Sequence, residues 1–130
     1  MRLILPLCLA TALPALADTP MSASDFEAYA TGKTLTYAMG GEVYGAEQYL
    51  PGRRVVWAFK GEECRTGYWY EEAGQVCFVY QQDTTPQCWT FATGTDGVRA
   101  HFTADPAGAE LAAVQESTAP LTCAGPDLGV

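Results

Sequence analysis

Two short turns between Gly67 and Phe91 fix the register of three consecutive strands, and no other feature restricts the fold of this chain as much. Glu71-Glu72-Ala73-Gly74 reads as the first turn and Gln82-Asp83-Thr84-Thr85 as the second. The first places Trp69 opposite Val76 and Tyr68 opposite Cys77. The second places Cys77 opposite Cys88 and Val76 opposite Trp89. The two registers agree. They put Trp69, Val76, Phe78, Trp89 and Phe91 on one face, and Tyr68, Tyr70, Cys77, Val79, Cys88 and Thr90 on the other.

The same alternation recurs along the chain. Leu35, Tyr37 and Met39 share a face ahead of Gly40-Gly41, and short apolar pieces follow at Val43-Tyr44 and Gln48-Tyr49-Leu50. After the Pro51-Gly52 turn, Val55, Trp57 and Phe59 fall on one face of Arg53 to Lys60. Asp96-Gly97 turns into Val98 to Thr103, and Ala109 to Glu116 reads as a strand rather than a helix. Only Ser22 to Gly32 has helical spacing, with Phe26, Tyr29 and Ala30 on one side. Ser24 and Glu27 form its capping box and Gly32 its stop, and it covers one end of the main body. The expected fold is therefore mainly β: a small antiparallel β-barrel or sandwich of about 7–8 strands with one short N-terminal helix. Trp57, Trp69, Phe78, Trp89 and Phe91 are its core anchors, since large side chains fill small barrels.

The start of the chain has the form of an export signal. Met1-Arg2 is a short positive start, Leu3 to Leu13 is mostly apolar, and Ala15-Leu16-Ala17 is the small-x-small pattern cut by signal peptidase. Residues 1–17 are expected to be removed before Asp18, leaving residues 18–130 as a single disulfide-stapled β-rich domain. Cys8 lies inside the apolar stretch and lacks the small residue that precedes a lipidated cysteine. The apolar segment is too short to span a bilayer, and no second one follows, so no membrane insertion of the mature chain is expected. Without Arg2 the chain carries six Lys/Arg against fifteen Asp/Glu, a net charge of −9. Such a surface repels nucleic acid and anionic lipid. The absence of asparagine, with only two lysines and abundant Ala and Gly, points to a bacterial chain of high-GC coding. Its expected location is periplasmic or secreted.

Four cysteines remain after the leader, and an oxidising compartment favours their pairing. The hairpin register opposes Cys77 to Cys88, which leaves Cys64 to pair with Cys123. No Cys-x-x-Cys is present for redox chemistry, and no close Cys/His pairs for zinc.

Candidate chemistry is sparse. His101, the single histidine, shares parity with Arg99 and points outward; a Gly-x-Ser-x-Gly nucleophile sequence is missing. Glu62-Glu63 and Glu71-Glu72 are adjacent carboxylates in turns, which point apart instead of facing each other across a cleft. No catalytic residue, metal site or cofactor is assigned. Tyr68 and Tyr70, on the face opposite the core, are the candidate binding face.

The stretch Gly67-Tyr-Trp-Tyr-Glu-Glu-Ala-Gly-Gln-Val-Cys77-Phe-Val-Tyr, followed by Pro86-Gln-Cys88-Trp, resembles small exported bacterial proteins of unknown function, the DUF995-like group. The opening from Phe26 to Thr34 is also similar. The resemblance covers roughly half of the chain after the leader and implies export and a β-rich fold; it carries no catalytic residues. The expected function is non-enzymatic: a periplasmic or secreted barrel that binds a small apolar ligand or a protein partner. The alternative is a protein-directed inhibitor or envelope accessory protein with an acidic surface. A hydrolase using the carboxylates with His101 ranks below both.

Overall fold

The computed structural model describes residues 10–13 and 18–123. The expected cleavage motif, Ala15 to Ala17, lies outside the described residues. A two-residue strand β1 (Thr19–Pro20) and helix α1 (Ala23–Ala30) come first. Then follow β2 (Thr34–Met39), β3 (Glu42–Leu50), β4 (Arg54–Phe59), β5 (Arg65–Glu72), β6 (Gln75–Tyr80), β7 (Gln87–Gly94), β8 (Gly97–Phe102) and β9 (Leu111–Ser117). From β2 onward each strand pairs antiparallel with the next, and β9 returns to β2. The result is a closed eight-stranded up-and-down barrel, with β1 as an extra strand. β1 pairs with β7 at Thr93 and Ala92, beyond the Gln87–Trp89 stretch that β6 covers, so the far half of β7 is not left as a free edge.

The facings read from the alternation hold. Trp69, Val76, Phe78 and Phe91 are buried in the barrel with Leu35, Tyr37, Val55, Trp57 and Val98. Cys77 opposes Cys88, as the second turn requires. The first hairpin is tighter than the sequence reading: Glu72 pairs with Gln75, so Trp69 faces Phe78 and Tyr70 faces Cys77. The register moves by two residues, which keeps every side chain on its face.

The reason lies in Ala73-Gly74, whose φ angles of 50° and 78° are both left-handed. A two-residue turn of this hand matches the twist of the flanking strands. Alanine is strained there, and asparagine adopts this region more readily. Ala73→Asn should raise the unfolding free energy by about 0.5–1 kcal/mol. Urea titration checks it.

The helix starts at Ser22 as the spacing predicts, but its capping box lies two residues earlier than the sequence reading. Ser22, not Ser24, is the N-cap; its Oγ accepts from the Asp25 amide at 3.0 Å, and the Asp25 carboxylate accepts from the Ser22 amide at 3.3 Å. The earlier cap brings Ala23 into the buried face with Phe26 and Ala30. That face plugs one end of the barrel. The Phe26 ring lies 4.1 Å from Phe91, 5.3 Å from Tyr49 and 5.7 Å from Trp69. Arg53 fastens the helix from below: it donates to Glu27 at 2.9 Å and stacks over Trp69 at 4.4 Å.

Val43-Tyr44 and Gln48-Tyr49-Leu50 are parts of one strand, β3, rather than separate pieces. The pattern is broken by bulges. Tyr37 pairs with Gly45 but Ala38 with Val43, leaving Tyr44 as the extra residue. On the other side Thr36 pairs with Gln115 but Tyr37 with Ala113, leaving Val114 extra. Bulges bend strands and re-aim side chains, which suits a sheet that must close. They also explain why Tyr44 and Val114 are exposed. After β9 the tail runs back along the wall, where Thr34 donates to the Ala119 carbonyl and the Leu121 amide donates to Gln48. Cys123, the last described residue, is disulfide-bonded to Cys64 in the β4–β5 loop.

Candidate functional site

The end opposite the helix is open. Inward residues of β2 to β9 there leave a pocket of about 70 Å³. At the roughly 30 Å³ that one water takes up in the liquid, this is room for about two. Its wall is largely aromatic, with Tyr37, Tyr49, Trp57, Phe78, Trp89 and Phe91 around it and Tyr44 and Phe59 toward the mouth. Eight strands give an interior wide enough to be filled by side chains or to hold one small ligand. The side where β8 meets β9 presents no ring: Ala100, which is small, and Leu111 line it.

Glu47 is the unusual member. It is 2% exposed, inside the barrel on β3, opposite Leu35 on β2 and Trp57 on β4. Its carboxyl accepts from the Tyr80 hydroxyl, at 2.9 Å to Oε1 and 3.1 Å to Oε2. Among the described residues no cation forms an ion pair with it. Nearby, the hydroxyls of Tyr37 and Tyr49 are 2.8 Å apart. Burial pushes the Glu47 carboxyl well above its ordinary 4.5, and the Tyr80 hydrogen bond offsets only part of this. Burial also raises the phenols of Tyr37, Tyr49 and Tyr80, with the Glu47 charge adding to the rise. The pocket therefore holds neutral phenol donors around a carboxyl that resists ionisation.

Two glycines make room for the rings. A Cβ on Gly45 would come within 2.6 Å of the Trp57 ring and of the Ala58 carbonyl, so the Trp57 ring fits against β3 only because residue 45 has no side chain. Gly67, opposite Tyr80, does the same for that ring. At the mouth, Arg65 sits half-exposed, 3.8 Å from Glu62 and stacked over Phe59 at 5.0 Å.

The raised Glu47 carboxyl gives a pH signature. Its folded state holds a proton that the unfolded chain has lost, so its contribution is fully present below the unfolded carboxyl pKa, about 4.3. That contribution is lost as pH rises from there through the folded value. Glu47→Gln keeps a neutral partner for Tyr80 and removes this loss. The stability of Glu47→Gln relative to the native chain should rise with pH over that window, by up to about 1.4 kcal/mol per pH unit. Paired urea titrations from pH 4 to 8 check it; parallel curves would mean that Glu47 ionises normally.

The residues singled out from the sequence fall in different places. Trp57, Phe78, Trp89 and Phe91 line the pocket as well as the core, and Trp89 is only half-buried, against Phe102 at 5.0 Å. Trp69 is fully in the core, on the helix side. Tyr68 is exposed and Tyr70 half-buried on the outer wall, away from the pocket. His101 also faces outward, 2.6 Å from Glu110, which holds Arg99 at 2.7 Å with its other oxygen. This pair is partly exposed on the outer wall. Glu72 lies near Cys77 and Cys88, but both sulfurs are in a disulfide and offer no thiolate to a metal. Glu47, Tyr80, Arg65 and Tyr44 carry the pocket without being marked in the sequence reading. For Glu47 a signal existed: it shares parity with Gly45 and Tyr49, which puts it inside if Glu42 to Leu50 is read as one strand. The bulge that turns Tyr44 to the mouth left no such signal.

What fold and site define together is an eight-stranded barrel plugged by a helix at one end and opening on an aromatic pocket with a buried acid at the other. Compared with protein-family models, curated proteins and solved structures, the chain matches none. No helix among the described residues is long and apolar enough to cross a membrane.

Proposed function

We propose that this protein is an exported, non-enzymatic binding protein that holds one small, mostly apolar molecule in the open end of its barrel. The observation that carries this reading is the pocket itself: aromatic walls with a few convergent polar groups, in a barrel whose other end is closed. The leader-like start and the two disulfides support a periplasmic or secreted setting, as does the resemblance to DUF995-like exported proteins. The unfilled barrel favours a small ligand over the inhibitor or accessory reading, in which the outer wall does the binding.

Native mass spectrometry of protein purified from the exported fraction should find a bound small molecule. Ala100→Leu, which projects a larger side chain into the pocket, should lose it. Protein that carries no such mass and shows no thermal shift with any small molecule would end this reading. His101→Ala should leave binding within about twofold, because the imidazole sits on the outer wall; a tenfold loss, about 1.4 kcal/mol, would move the site to the Glu110 cluster.

A further inference from the structure

We propose that the ligand is a small organic amine whose ammonium group docks against Glu47 within the cage of Tyr37, Tyr49, Trp57 and Tyr80. This rests on the pocket-binding reading and names the chemistry of that same site. The argument starts from a cost. A carboxyl placed inside a barrel loses its hydration, and an apolar residue of the same shape would stabilise the fold more. A pocket for a purely apolar ligand has no use for it.

An ionised carboxylate accepts at about four lone-pair positions. Among the described residues Glu47 has one protein donor, Tyr80, and forms no ion pair. Its remaining acceptor capacity adjoins the cavity it lines. The groups that line the pocket with it from the surrounding elements are Tyr37 on β2, Tyr49 on β3, Trp57 on β4, Arg65 on β5 and Tyr80 on β6. Four of these are rings, and the faces of Trp and Tyr attract a cation, more strongly once it is desolvated. The three ammonium hydrogens can be shared between the carboxylate and the phenol oxygens. Arg65, the one cation lining the pocket, lies at the mouth and is already engaged by Glu62 and Phe59, so it does not fill the place beside Glu47.

Docking a cation reverses the preference of Glu47 from acid to carboxylate. In the window where the empty pocket holds Glu47 protonated, each bound ammonium expels one proton to solvent, and affinity rises up to tenfold per pH unit.

The test is isothermal titration calorimetry of the disulfide-intact protein. Probes are benzylamine and propylamine, each compared with the alcohol of the same shape, and benzoate. At least one amine should bind tenfold or more tighter than its alcohol. Glu47→Gln, with an unchanged circular-dichroism spectrum, should abolish the difference, so that the amine binds this variant no tighter than its alcohol does. Titration in two buffers of different ionisation enthalpy should show proton release below the pKa of the empty site. Amine and alcohol binding equally, or Glu47→Gln leaving amine affinity intact, would overturn the amine while keeping the pocket as a binding site. Benzoate binding tightest would overturn it in favour of Arg65 as the anchor. If none of the five probes binds, the amine inference and the small-ligand reading fall together.

Discussion

Trp69→Ala should cost about 3–5 kcal/mol, the range for deleting a large buried aromatic. Trp69 is buried at the helix end and touches three separate parts of the fold: Phe26 of α1, its partner Phe78 on β6, and the guanidinium of Arg53, which ties down Glu27. Removing the indole leaves a void under the plug and frees the arginine that anchors it. Because a domain has only about 5–15 kcal/mol in all, the variant should be close to unfolding at 37 °C. Guanidinium denaturation measures the loss. Trp89→Ala provides the comparison: half-buried at the open end, it should cost less stability than Trp69→Ala and weaken ligand binding more. The reverse ranking would place the core at the open end and remove the pocket.

Breaking the Cys64–Cys123 bridge should be nearly as damaging. The two cysteines are 59 residues apart in sequence and 5.3 Å apart at their Cα atoms. Closing a loop of this length removes on the order of 4 kcal/mol of chain entropy from the unfolded state. The paired variant Cys64→Ser/Cys123→Ser should lose about that much, whereas removing Cys77–Cys88, which spans 11 residues, should cost less. Equal losses would argue that the tail is held mainly by its hydrogen bonds to Thr34 and Gln48. Thermal unfolding of both variants decides between these.

Much of the architecture could be read from the chain because side-chain alternation survives errors of two residues. A register shift of two residues at the Ala73-Gly74 hairpin leaves Trp69, Phe78 and Phe91 inside and Cys77 opposite Cys88. The capping box is ambiguous for a similar reason: Ser22 and Ser24 each have an acid three residues on, and only burial of Ala23 separates them. The site was much less legible. Glu47 is a charged residue on a strand interrupted by a bulge at Tyr44, so local composition marks it as surface. Its inward position follows only once β3 is seen as continuous between β2 and β4. Tyr68 and Tyr70 drew attention as aromatics on the polar face, but a pocket requires convergence from many strands, and neighbours on one strand cannot supply it.

The seam between β2 and β9 has a consequence for how the chain reaches its fold. Leu35 pairs with Glu116, while every other strand of the barrel pairs with its immediate successor. Hairpins from β2 to β8 form between segments that emerge together. The ring closes only when the last strand arrives, and until then β2 (Thr34–Met39) remains an open edge. Closure over so large a sequence separation makes the final step slow. A chain halted before Leu111 would be a curved sheet with two free edges, suited to joining another copy of itself rather than to holding a ligand.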